Sequence, residues 1–149
     1  SRPLLVEIQA LVDQSFGQPK RLAAGLDNHR INILLAVLHK HAGVATYDQD
    51  VFINAVGGVK ITETASDLAV LIAVLSSLKN QVMDAKLVIF GEVGLAGEIR
   101  PVQQGQERLK AAAKHGFTKA IVPLSNVSKQ ESDIEIIGVQ TLQDVIKIL

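Results

Sequence analysis

Thr64-Ala65-Ser66-Asp67-Leu68-Ala69-Val70-Leu71-Ile72-Ala73-Val74-Leu75-Ser76-Ser77-Leu78-Lys79 is the stretch on which the fold turns. Thr64 followed by Asp67 resembles a helix-capping arrangement, and the residues after it predict a helix over about 65–79. Leu68, Leu71, Ile72 and Leu75 share one face, while Ala69 and Ala73 allow close packing elsewhere. A helix apolar nearly all round belongs in the centre of a domain. Its longest apolar run, Leu68 to Leu75, is eight residues, far short of the ~18 needed to span a bilayer.

Strand and helix patterns alternate on either side. Leu4, Val6, Ile8, Ala10 and Val12 alternate with Glu7, Gln9 and Asp13, so 3–13 reads as a strand. A polar loop with Pro19 follows, then a short strand at Leu22 to Leu26. Asn28 can cap a helix through Ile31, Leu34, Leu35 and Leu38, which Gly43 ends. Val51 to Val56 is a strand closed by Gly57-Gly58. Beyond the central helix, Lys86 to Val93 reads as a strand and Gly94 and Gly97 mark a turn. A helix from about Gln106 to His115 stops at Gly116. Strands follow at 120–122 and 134–137, and Thr141 with Asp144 caps a last helix, Leu142 to Leu149. The expected class is mixed α/β, a single domain over 1–149 with one central buried helix. The start at Ser1-Arg2-Pro3, without Met, suggests a piece of a longer protein.

The 149 residues suit one domain with a real core. No Cys is present, which removes disulfides, thiolate nucleophiles and Cys-based zinc sites from this chain and fits a reducing cytoplasm. No signal peptide is read at the start, and no membrane contact is expected. Fifteen basic and fifteen acidic residues give zero net charge, which argues against strong autonomous nucleic-acid binding. Four Phe, one Tyr and no Trp leave little for stacking single-stranded bases.

Few residues suggest chemistry unaided. Gly91, Gly94 and Gly97 resemble a phosphate loop, but no Gly-Lys-Ser/Thr follows, and turn glycines explain them. His39 and His41 stand two apart, which suits a helix C-terminus better than a metal. His29 and His115 stand alone, and Glu92 and Glu98 are read as turn residues. Lys20, Arg21, Arg30 and Lys40 are the candidate nucleic-acid-binding residues, through phosphates and without sequence preference. Lys110, Lys114 and Lys119 follow Arg108, and for these local positive charges a solvated face and a stripe touching DNA phosphates are the two readings.

Several motifs together carry a resemblance. They are Val51-Phe52-Ile53-Asn54-Ala55-Val56-Gly57-Gly58, Val74-Leu75-Ser76-Ser77-Leu78, Phe90-Gly91-Glu92-Val93-Gly94-Leu95-Ala96-Gly97-Glu98-Ile99-Arg100-Pro101, Gln106-Glu107-Arg108-Leu109-Lys110-Ala111-Ala112 and Ile121-Val122-Pro123. In this order and spacing they resemble the proteolytic domain of the Lon family. With Gly57-Gly58-Val59-Lys60-Ile61-Thr62-Glu63-Thr64, Ala112-Ala113-Lys114-His115-Gly116-Phe117 and the opening 1–12, nearly the whole chain resembles the C-terminal Lon-protease-like domain of the bacterial RadA (Sms) DNA-repair family.

The resemblance implies a Lon-type α/β fold, shared with a small-subunit ribosomal-protein domain. It implies a DNA-dependent ATPase with a RecA-like core and an amino-terminal zinc finger. Such proteins act in recombinational repair and branched-DNA processing, as hexameric rings that meet DNA and a RecA-type recombinase. ATP, magnesium and zinc would belong to those other parts, and no cofactor or metal is expected here. Lon-type proteases use a serine nucleophile and a lysine base. The motifs place Ala65 and Arg108 at those positions, so the expectation is a degenerate peptidase site and no enzyme activity in this domain. Alanine has no nucleophile, and arginine stays protonated and cannot serve as the base. Ser66 and Lys110 stand nearby, but one or two helical steps turn a side chain by roughly 100° or 200°, away from the old cleft. An active serine-lysine peptidase and a pure oligomerisation module without DNA contact are the two alternatives.

Overall fold

A computed structural model describes residues 5–57, 60–128 and 133–149. The fold is mixed α/β, as expected. A strand β1 (Ile8–Gln14), a short strand β2 (Arg21–Ala24), a helix α1 (Asn28–Ala42) and a strand β3 (Gln49–Ala55) come first. A 3-10 turn (Thr64–Ser66) leads into α2 (Asp67–Leu78). Next come β4 (Leu87–Ile89), β5 (Glu92–Val93), β6 (Ile99–Arg100), α3 (Gly105–Lys114), β7 (Lys119–Pro123), β8 (Glu135–Val139) and α4 (Leu142–Ile148).

The strands form two three-stranded sheets and a hairpin. In the first sheet β3 lies between β1, antiparallel to it, and β2, parallel to it. In the second, β7 lies between β4 and β8, all parallel, and β5 pairs with β6 as an antiparallel ribbon. Period-2 alternation sets what each sheet faces. Along β7, Ile121 enters the main core, while Ala120 and Val122 enter a smaller core under α3 with Val88, Phe90, Leu109 and Ala112. The inner face of the first sheet, Val12, Val51 and Ile53, packs with α1 and α2 in the main core.

The helix α2 is central, and Leu68, Val70, Leu71, Ile72, Val74 and Leu75 are all buried. Ser77 ties it to the first sheet, because its hydroxyl accepts a hydrogen bond from the Val12 amide at 2.9 Å. Its start differs from expectation. The Thr64 hydroxyl donates to the Glu92 carboxylate instead of capping, and no side chain caps the helix. Gly91 serves instead: its carbonyl accepts from the Leu68 amide at 3.0 Å, and its own N–H donates to the Ala65 carbonyl at 2.9 Å.

That double contact also explains why the expected strand 86–93 is broken into β4 and β5. The backbone of Gly91 turns toward α2, in a space where an added Cβ would lie 3.2 Å from Ile99, Leu68 and Pro123 side chains. Other differences are local. The first strand begins only at Ile8, and Pro3, Leu4 and Gly58 of the sequence reading lie outside the described residues. The cap of α1 is Asp27, not Asn28; its carboxylate accepts from the His29 amide. Gly43 ends α1 with φ 68°, a conformation open to glycine at little cost. Thr141 and Asp144 form the expected capping box on α4.

Two outcomes are expected. Leu71 is wholly buried, so Leu71→Ala should lower unfolding free energy by ~2–5 kcal/mol in urea melts; a change within the ~0.5 kcal/mol typical of surface sites would contradict a central α2. The amides of Gln140 and Thr141 hold the Asp144 carboxyl below the usual range. A depressed folded pKa gives stability that is present above the unfolded value, about 3.9, and lost as pH falls through the folded one. Asp144→Asn should therefore flatten the acid limb of a stability–pH curve.

Candidate functional site

The residues before and at the start of α2 meet three other elements. Asp67, 3% exposed, accepts from the Arg30 Nε at 3.1 Å and from the Val93 amide at 3.0 Å, and Arg30 closes the fork with its Nη2. The same Nη2 donates to the Val93 carbonyl at 3.1 Å. Burial pushes the Asp67 carboxyl above the usual carboxylate range, outweighing the opposite pull of Arg30 and the Val93 amide. On the neighbouring ribbon, Arg100 bonds Glu98 at 2.9 Å and reaches Glu92 at 3.6 Å. It holds the Glu98 carboxyl below its ordinary value. Glu92 and Glu98 therefore serve the turn.

Ala65 is buried in the 3-10 turn, and Arg108 is buried on the first turns of α3. The Arg108 Nη2 bonds the Glu63 carboxylate at 3.2 Å and its Nε donates to the Gln103 carbonyl at 3.0 Å. Glu63 lies two residues before Ala65, so the fold brings the two motif positions into one corner from 43 residues apart in sequence. This corner holds a methyl group and a buried cation locked in an ion pair. Glu63 had no signal in the sequence, because its partner sits 45 residues away.

Beside the corner, a cleft of about 650 Å³ runs between α1 and residues 60–67. Ser66 lines it, with Arg30, Lys60, Thr62 and an apolar floor that includes Ile31, Leu34 and Val70. Lys110 is exposed on α3 and is absent from that lining. Ser66 and Lys110 are not brought together in this cleft.

The four candidate phosphate-binding cations divide in two. The Arg21 guanidinium bonds the Gln49 and Thr46 carbonyls, clasping the chain where it enters β3. Arg30 is spent on Asp67 and Val93. Lys20 and Lys40 are exposed, the first just before β2 and the second in the last turn of α1. His39, Lys40 and His41 sit in that last turn, and the His41 Nε2 lies 2.8 Å from the Leu95 carbonyl. His115 contacts the Ala111 carbonyl through Nδ1 at 2.8 Å. Among the described residues no group of three or more His, Asp or Glu is placed to hold a metal, and no helix is long and apolar enough to cross a membrane.

A family model described as subunit ChlI of Mg-chelatase matches residues 23–126, a span that contains both Ala65 and Arg108. The chain belongs to that family. Along its whole length it is similar to DNA repair protein RadA, as the motifs indicated. It is 57% identical to RadA of Pseudomonas aeruginosa over 100% of the chain, and 58% identical to RadA of Escherichia coli over 99%. RadA of Aquifex aeolicus is 46% identical over 100%. The chain spans only 33–34% of the length of these curated relatives.

The Glu63 contact generates a test. In an Arg108→Lys variant the Glu63 carboxylate should hold the new ammonium protonated, at or above the ordinary lysine value of about 10.4. Adding Glu63→Gln leaves burial unopposed, and the same ammonium should then titrate lower. Side-chain NMR titration reads both values, and equal values would mean that Glu63 does not govern this position.

Proposed function

We propose that this chain is a non-catalytic, Lon-like module of a RadA-type DNA-repair protein. The whole protein would be a DNA-dependent ATPase working in recombinational repair and branched-DNA processing in the cytoplasm, beside a RecA-type recombinase. This module would contribute by holding a hexameric ring together. ATP, magnesium and zinc would bind in the two thirds of the relatives that this chain does not span. The observation that carries the reading is the buried Arg108, paired with the partly exposed Glu63 two residues from Ala65: the corner where a serine and a neutral lysine would act offers neither a nucleophile nor a base. An ion pair there serves as a joint between α3 and the turn before α2.

The exposed positions of Lys20 and Lys40 support a second element, contact with duplex DNA in the assembled ring. Arg21 and Arg30 were candidates with them. Their internal partners leave the phosphate contacts to the two lysines in this reading. With zero net charge, one copy would bind weakly and six would gain avidity. The same zero charge supports the rival reading of an assembly module that does not touch DNA.

Two measurements test these readings. The chain should not hydrolyse unfolded casein or fluorogenic peptides; turnover that disappears in Ser66→Ala would favour the active serine-lysine peptidase. In the full-length protein, Lys20→Gln with Lys40→Gln should leave hexamers intact by sedimentation. DNA affinity should fall, and the salt slope should shrink by about 0.9 per lost phosphate contact. Normal assembly with unchanged affinity and slope would favour the module without DNA contact.

A further inference from the structure

The outer face of the first sheet is apolar where a sheet open to water is usually polar. Leu11 of β1 and Leu22 of β2 both stand opposite Phe52 of β3. The three side chains therefore form one continuous row across the sheet, and Leu11 and Leu22 are 58% and 54% exposed. Two residues along each strand on one side lie Gln9, Asn54 and Ala24, all uncharged and exposed. Two residues along on the other side Asp13 stands directly opposite Asp50, with Lys20 just before β2. Like charges placed opposite each other across a strand pair destabilise a sheet. This face thus presents an apolar row, with the amides of Asn54 and of Gln9, the latter also donating to Glu7 of its own chain, on one side and the facing carboxylates of Asp13 and Asp50 on the other.

That pattern is self-complementary in one orientation. We propose that this face docks a second copy of the same chain, about a twofold axis that runs along the Leu11–Phe52–Leu22 row. The rotation stacks the apolar row on its own copy. It reverses the strand direction, so Gln9 and Asn54 of one copy lie over Asp13 and Asp50 of the other, where their amides can donate to the carboxylates. Ala24 then lies over Lys20. A twofold axis along β3 would instead set Asp50 on Asp50, a like-charge contact at the centre of the face, with Asp13 over Lys20. Such an isologous contact differs from the head-to-tail contact that closes a ring, so this inference stands apart from the ring reading above.

Strand and residue spacings make the face roughly 300 Å² per copy, well under the ~800 Å² per partner of a standard stable complex. Pairing is therefore weak on its own and depends on concentration. Sedimentation equilibrium of the chain should show a monomer–dimer equilibrium. Leu11→Glu, at an exposed position, should weaken it at least about tenfold, or about 1.4 kcal/mol, without lowering Tm. Gln9→Lys, which sets a cation over Asp13 of the other copy, should tighten pairing, and Gln9→Glu should loosen it. A parent chain whose dimer Kd is weaker than ~1 mM overturns the proposal. So does a dimer or ring indifferent to Leu11→Glu, or lysine and glutamate at position 9 acting alike. A monomeric parent chain, with Leu11→Glu loosening only the full-length protein, would give the face to another part of that polypeptide and equally overturn it.

Discussion

The ion pair between the partly exposed Arg30 and the buried Asp67 is the constraint on which the centre of the molecule depends. Removing a carboxylate and a guanidinium from water costs several kcal/mol per ion, and only near-complete hydrogen bonding repays it. Here the two-pronged contact between the side chains and both backbone groups of Val93 offset part of that cost. The pair joins α1, α2 and β5 at one point. Burial raises the Asp67 pKa, so the protein binds that proton more readily when folded. The corresponding stability is in place below the unfolded Asp value and declines as pH rises through the folded one. Loss of Arg30 would leave the buried Asp67 carboxylate without its counter-ion, a change that costs about 3–5 kcal/mol in fully buried pairs.

Much of the fold was legible because its signals are local. The period of Leu68, Leu71, Ile72 and Leu75, the Thr141–Asp144 box and the glycine after α1 all act within a few residues. The misread points have distant partners. Thr64 and Asp67 look like a cap in sequence, but Glu92 and Arg30 compete for them from 28 and 37 residues away. Gly91 reads as part of a strand until Ala65 and Leu68 are seen to claim its backbone. For the site, motif positions located Ala65 and Arg108, but nothing in the sequence indicated that Glu63 fixes the arginine. Nor could charge counting separate the clasped Arg21 and Arg30 from the exposed Lys20 and Lys40.

The corner around Ala65 is held together by a buried, paired arginine. A catalytic lysine base must be held near the point of losing its proton, which requires that no anion stand beside it. Arginine has the opposite requirement: its fork is most useful when fully charged and met by a carboxylate and a carbonyl. The Glu63 and Gln103 contacts meet that requirement. The position then fixes the start of α3 against the turn that begins α2.

The second sheet carries a consequence for how the chain acquires its structure. All three of its strands run parallel, so none can pair with its neighbour through a tight turn. Joining Leu87 to Lys119 closes a loop that holds the β5–β6 ribbon and all of α3. Such long closures lose chain entropy before any contact compensates, and topologies rich in them fold slowly. Contacts within the antiparallel ribbon and α3 are local, whereas β4 and β7 meet only when that loop closes. Until they meet, Val88, Ile89, Ile121 and Val122 are exposed together on unpaired backbone, which makes the interval before sheet closure the time of greatest aggregation risk.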